Sequence, residues 1–313
     1  MKLLNRGLFT SAGALALTVG LLLTGPQAAW AKKHSNKSEE GPDPTAVSAC
    51  GTLATADTIY YLTGNLTEAG TGTCITLSAT GSALLLNGYN ITGPGASSIG
   101  DGIHITGTSD VVEGFNSTIS GFEIGLIDTG GGSVGDDFNV TDNVIGLELA
   151  SSATTRFVNF SSFSNTGNGI FINGCGAHCS VLDFSSTDNG SNGLLIEGST
   201  FPLADVFIAV GNGGSGVQVG GTTSGNRNTH AVIADAFLSS PVGISDNTSY
   251  GVVIGTSDNT SNDFVTTVEA STNLIDLYDQ NTTCGANLWF NNSFTSSKAG
   301  TATSPACIGG IGS

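Results

Sequence analysis

The stretch that decides the fold runs from Asn165 to Gly220. It reads NTGNGIFINGC (165–175), DNGSNGLLIEGST (188–200) and GNGGSGVQVGG (211–221). In each block an Asn (Asn165, Asn189, Asn212) stands four positions before a Gly (Gly169, Gly193, Gly216) that opens a short apolar–variable–apolar run. The Gly-to-Gly steps are 24 and 23 residues. A fixed period in the twenties, with one turn residue and one short strand per repeat, marks a solenoid whose units bury a face only by stacking. Upstream copies open at Gly102, Gly125 and Gly146; downstream, Gly251 opens a copy after a step of 35, which implies an insertion around Ser239–Asp246. A last copy without Gly is LIDL at Leu274–Leu277. The Asn column becomes Asn143, Asn165, Asn189, Asn212, Asn247 and Asn273. Asn tolerates left-handed backbone and offers both a donor and an acceptor, so one Asn per coil at one corner predicts a hydrogen-bonded ladder.

Composition fits such an array. There are 46 Gly among 313 residues, and charged residues make up 11%, about half the usual share. Val, Ile, Leu and Phe recur at strand spacing, which argues for a stacked β core rather than disorder. The N-terminus, Met1–Ala31, has Lys2 and Arg6, an apolar run from Leu8 to Leu23, and Ala29-Trp30-Ala31 before Lys32. That is the pattern of a signal peptide. Residues 32–48 are polar and read as a flexible linker, and 49–313 as the solenoid with an N-terminal cap. The expected location is extracytoplasmic: periplasm, cell surface or medium.

Charge restricts the partners. Without its first 31 residues the chain carries a formal charge of −19, and from Ala49 onward the basic residues are Arg156, Arg227 and Lys298. Nucleic acid requires clustered Lys and Arg, so it is not an expected partner. A polyanionic polysaccharide would need bridging Ca2+, which makes Ca2+ the one cofactor to consider. The six Cys fall into sequence-near pairs, Cys50 with Cys74, Cys175 with Cys179, and Cys284 with Cys307. In an exported chain these read as disulfides, although six Cys allow 15 connectivities.

A resemblance now becomes specific. The segments CG (50–51), YYLTGNL (60–66), CITL (74–77) and LLLNGYNITG (84–93), the GI-x-I coils with their Asn column, and the ending DLYDQNTTCGANLWFNNSF (276–294) with CIGG (307–310) resemble the pectate-lyase-like superfamily of right-handed parallel β-helix proteins. The resemblance implies an all-β, single-stranded right-handed parallel β-helix and a role with polysaccharides: lysis, hydrolysis, epimerisation or surface binding. Of the hydrolase motifs it brings with it, only a paired Asp is present, at Asp136-Asp137; Gly-His-Gly, Arg-Ile-Lys and the Asp-Pro-His of alginate epimerases are missing.

Two outward columns follow from strand alternation. The first is His104, Ile127, Glu148, Phe171, Leu195, Gln218, Val253 and Ile275; its apolar half calls for cover, expected from the chain itself. The second is Asp110, Asp137, Arg156, Ser180, Asp205, His230 and Asp263. Carboxylates one or two coils apart lie roughly 5–10 Å from each other, a range that suits glycoside hydrolysis or Ca2+. The candidate catalytic group is therefore Asp136, Asp137 and Arg156, with Asp101 and His104 as a second acid/base pair. Two classes of function stay open: a carbohydrate-binding or structural surface protein, and a polysaccharide lyase or glycoside hydrolase, Ca2+-dependent or not, that uses an acidic groove around Asp136, Asp137 and Arg156.

Overall fold

Each coil contributes one short and one long strand, and successive coils stack in parallel register into an 11-stranded and a 16-stranded sheet. The computed structural model describes residues 43–96, 99–150, 153–176, 178–220, 231–236, 243–255, 263–281, 287–299 and 308–312. The leader reading for 1–31, most of 32–48, and the Cys284–Cys307 pairing lie outside them. Pro42–Ser313 forms one compact unit. Its first strand, Thr45–Val47, pairs with Ile59–Leu62, so the solenoid begins inside the stretch read as linker. Among the described residues no helix is long and apolar enough to cross a membrane.

The short strands include Asp101–Ile105, Ile124–Asp128, Ile145–Leu149, Ile170–Asn173, Leu194–Glu197, Val217–Val219, Tyr250–Ile254 and Ile275–Asp279. Residues just after the repeat Gly (Ile103, Leu126, Leu147, Ile170, Leu194, Val217, Val252) point inward and are fully buried. Each such side chain contributes roughly 2 kcal/mol of burial, and stacking joins them into one continuous core. The Gly itself is required by closeness rather than by φ. A Cβ on Gly193 would stand 2.7 Å from the Gly216 carbonyl oxygen of the next coil and 2.8 Å from Asn212 Nδ2.

That amide belongs to the ladder. Asn189 Nδ2 donates to Asn212 Oδ1 at 3.0 Å, Asn212 Nδ2 to Asn247 Oδ1 at 2.9 Å, and Asn247 Nδ2 to Asn273 Oδ1 at 2.9 Å. Each Oδ1 also accepts the backbone N–H of the Asn before it. The Asn212–Asn247 rung spans the 35-residue step, so the extra residues do not add a coil. They fall in two places, between Val219 and Val232 and between Ala236 and Ile244, as the pairing with the preceding coil requires. Both places lie mostly outside the described residues.

Asp276 ends the ladder. It occupies the place of the repeat Gly in the last copy, where Asn273 donates to one carboxylate oxygen and Thr295 and Ser296 donate to the other. Burial pushes its carboxyl up, but the hydrogen bonds from Thr295, Asn273 and Ser296 outweigh it and hold the pKa below the usual carboxylate range. Three residues on, fully buried Asp279 accepts from Asn281, Asn287 Nδ2 and Trp289 Nε1. The closing segment is thereby pinned through its indole. At the other end the Cys50–Cys74 disulfide joins two vertically adjacent coils, and its 24-residue separation is one coil. Cys175–Cys179 closes a short loop in which exposed His178 stacks on Phe201, 5.2 Å between centroids.

The long strands, such as Val134–Thr141, Thr155–Phe163, Cys179–Thr187 and Leu203–Val210, each contain one left-handed residue: Asp137, Asn159, Asp183 and Val206, with φ of 57°, 49°, 50° and 51°. A single left-handed residue folds a strand sharply without interrupting its neighbours when every coil bends at the same place. One sheet therefore covers two faces of the solenoid.

Candidate functional site

On the outer face of the short-strand sheet, the register is His104, Ile127, Glu148, Phe171, Leu195, Gln218, Val253 and then Tyr278. Ile275 is not in the column; it pairs with Tyr250, one residue before the Gly position, which Asp276 holds in the last copy. Ile127, Leu195 and Val253 are buried although they face outward, so the chain itself supplies their cover. The polar end of this face is organised. His104 Nδ1 stands 3.3 Å from Asp101 Oδ2, and its Nε2 is 3.0 Å from Thr129 Oγ1. Asp101 Oδ2 also accepts from Thr73 Oγ1. Two coils along, Glu148 is 8% exposed and accepts from Asn173 Nδ2 at 3.0 Å. Burial pushes its carboxyl up, against the Asn173 hydrogen bond and with added repulsion from Asp101 and Glu123.

The second column does not form. Asp110 and Asp263 occupy one row, just before the long strands; Arg156 and Ser180 occupy the next; Asp205 lies two rows further, and Asp137 sits at the bend. His230 is outside the described residues. The column assumed one register for residues that enter their strands at different points. Asp110 is fully buried, its Oδ1 accepting from Ser82 N at 2.8 Å, and Asp263 repeats this with Ala231 N. Nearby Asp128 holds Gly130 N, Gly131 N and Thr155 Oγ1. Burial pushes the Asp110 carboxyl up to about 7, against the Ser82 hydrogen bond and with help from Asp128.

Asp136 and Asp137 do come together with a third carboxylate. Asp136 is paired in register with Glu113 of the preceding coil, and burial, then Asp136 and Asp137, push the Glu113 carboxyl up. Both aspartates lie outside the core because the left-handed residue interrupts alternation, after which Phe138 turns inward. Arg156 is placed opposite Val134, one coil up and two rows away from Asp136, roughly 8 Å between Cα atoms by strand geometry. It belongs to the flat outer face rather than to the bend.

The bend is where the structure opens. A groove of about 610 Å³ runs along it. One wall is the left-handed row Asp137, Asn159, Asp183 and Val206; the other is Asn139, Ser161, Ser185 and Ile208. Ser185 Oγ donates to Ser161 Oγ at 3.0 Å. The floor is the backbone over stacked Phe138, Phe160, Phe184 and Phe207, whose centroids are 5.3, 5.6 and 4.9 Å apart. Of this site only Asp137 was read from the sequence. A signal was present: the dipeptides Asp137-Phe138, Asn159-Phe160, Asp183-Phe184 and Val206-Phe207 recur at coil spacing.

Among the described residues no group of three or more His, Cys, Asp or Glu side chains is arranged to hold a metal ion.

No protein-family model matches the sequence, and no curated protein matches it either. Solved structures share its architecture. The Dettilon tailspike protein (gp208) superposes with a TM-score of 0.59 at 12% identity over 82% of this chain and 54% of that one. The pectate lyase Pel9A gives 0.56 at 14% identity, over 80% and 70%. The A-module of the Azotobacter vinelandii mannuronan C-5 epimerase AlgE4 gives 0.50 at 16% identity, over 88% and 87%. The chain thus spans about half the length of the tailspike structure. What these molecules have in common with it is the fold, a parallel β-helix.

Proposed function

We propose that this protein acts outside the cytoplasm by binding a polysaccharide along the groove at the bend of its long-strand sheet. The carrying observation is the groove itself: amide, hydroxyl and carboxylate groups repeated once per coil above a continuous floor. An extended glycan advances per sugar by about the same distance as one strand spacing, ~4.8 Å, so the three coils of Asp137, Asn159 and Asp183 present polar groups to successive sugars and the coil of Val206 and Ile208 an apolar one. Two of the similar solved structures are named for work on such polymers, a pectate lyase and a mannuronan C-5 epimerase. Two disulfides suit an oxidising compartment, as does the leader-like Met1–Ala31. The test is titration of the purified protein with neutral, uronic and amino-sugar oligosaccharides by calorimetry. Saturable binding weakened by Asn159→Ala is expected; absence of binding to every class would sink the proposal.

A second reading, cleavage of the bound polymer, is favoured by one observation. Glu113 has a raised pKa beside Asp136 and Asp137, the unequal carboxylate environment that general acid and base require. In that reading Glu113 donates a proton to the leaving oxygen, Asp137 serves as base or nucleophile, and Arg156 orients the sugar from the flat face. Release of sugar ends by the native protein, lost in Glu113→Gln, would support cleavage; equal release by the variant would remove it.

A further inference from the structure

The groove has a charge pattern as well as a shape. Asp137 and Asp183 lie on the same wall with Asn159 between them, one coil from each. Strand spacing puts the two carboxylates roughly 10 Å apart along the groove. The facing wall offers Asn139, Ser161 and Ser185, and among the described residues no Lys, Arg or His lines the groove. Around it the chain carries 25 acidic against 8 basic residues.

We propose that the preferred occupant of this groove is a glycan with free amino groups, a glucosamine-type polymer rather than a neutral or uronic one. The inference rests on the glycan-binding reading above and names its substrate class. In an extended 1,4-linked chain successive sugars are turned over, so every second C2 substituent faces the same way. Two sugars advance by about as much as two coils, roughly 10 Å. One wall can therefore receive alternate amines on Asp137 and Asp183, while Asn159 bonds the hydroxyls of the sugar between. An ammonium group on carboxylate makes a charge-assisted hydrogen bond, stronger than a neutral one. A uronate in the same place would meet like charge with no cationic side chain to offset it. The acidic surface adds long-range attraction for a cationic polymer.

The experiment is calorimetric titration of the purified protein with three soluble probes of equal length: glucosamine oligomers, their fully N-acetylated counterparts, and oligouronates. The free-amine oligomer is expected to bind about tenfold more tightly than the acetylated one, with the advantage shrinking at high salt. An acidic protein attracts any polycation, so the deciding variant is Asp137→Asn with Asp183→Asn. Asn accepts the left-handed backbone as readily as Asp, so the bend is retained, which an unchanged melting midpoint verifies. In this variant the ratio of the two affinities should fall to about twofold or less. A preference that survives the double variant, or acetylated or uronic oligomers that bind equally or better, overturns the inference and leaves glycan binding standing. Failure of all three probes overturns both.

Discussion

Two corners of each coil solve different problems. At the ladder corner the Asn side chains are buried (Asn143, Asn165, Asn189, Asn212 and Asn247 are 3% exposed or less) and each donates and accepts along the solenoid axis. At the bend, Asn159, Asp183 and Val206 are exposed, and what recurs is the left-handed backbone. A buried amide that bonds to identical amides above and below has no substitute of the same shape and polarity. A bend facing water needs only a residue that tolerates positive φ. The first corner therefore keeps Asn in each coil from Asn143 to Asn273 and is structural, while the second is free to vary and is where binding groups can be placed.

The largest effect expected from breaking this contrast is at the ladder. Asn189→Ala removes the bonds of Nδ2 to Ser162 O, Ser186 Oγ and Asn212 Oδ1, and strips Asn165 of its acceptor. Buried donors and acceptors left unmade cost about 1–3 kcal/mol each, in part relieved by relaxation, so a loss of about 3 kcal/mol is expected in chemical denaturation. Asp183→Asn at the bend should lie within about 0.5 kcal/mol of zero. Comparable losses at the two sites would remove the distinction.

The same contrast explains what could be read from the chain. The ladder was legible because its chemistry fixes residue identity and spacing together, Asn followed three or four residues later by Gly from Asn143 to Asn247. The bend was not, because Asp137, Asn159, Asp183, Val206, Thr267 and Asn291 share a backbone angle and no side-chain type. Asp136-Asp137 was legible as a pair, but strict alternation would have sent one of them inward, and only the left-handed residue keeps both outside. The last copy was misaligned for a related reason: Asp276 stands where the coils from Gly102 to Gly251 have Gly, and a rule based on Gly cannot find it. Arg156 was grouped with Asp137 by nearness in coil count, whereas register puts it on a different face of the bend.

A third corner, between the short and long strands, extends the comparison to pH. Asp110 is fully buried there, and burial pushes its pKa up to about 7 from an ordinary value of 3.8. The native state then binds more protons than the unfolded chain between those values, so Asp110's stabilisation is full below about pH 4 and is lost as pH rises toward 7. Glu113, Asp128 and Glu148 are shifted in the same direction, Asp276 in the opposite one. Asp110→Asn keeps an acceptor for Ser82 N and removes one titration. Its stability should fall by roughly 2 kcal/mol less than the native protein's between pH 4.5 and 7.5. Parallel stability curves for the two proteins would show that Asp110 stays ionised in a wetter site than its burial implies.

The smallest effect is the one that most sharpens the bend. Val206 holds φ at 51° with 46% of its surface exposed, in a row whose other groove members are Asp and Asn. A β-branched side chain in the left-handed region crowds its own backbone, while Asn relieves the crowding through its short planar amide. Val206→Asn should therefore stabilise the protein by about 1 kcal/mol in urea unfolding, against little change for Val206→Ala, which keeps the Cβ. If the bend tolerates any residue that reaches the angle, the gain appears with the groove intact and its polar wall one coil longer. If Val206→Asn destabilises, apolar contact with the groove is part of that coil's stability, and the bend is then a packed corner like the ladder rather than an open one.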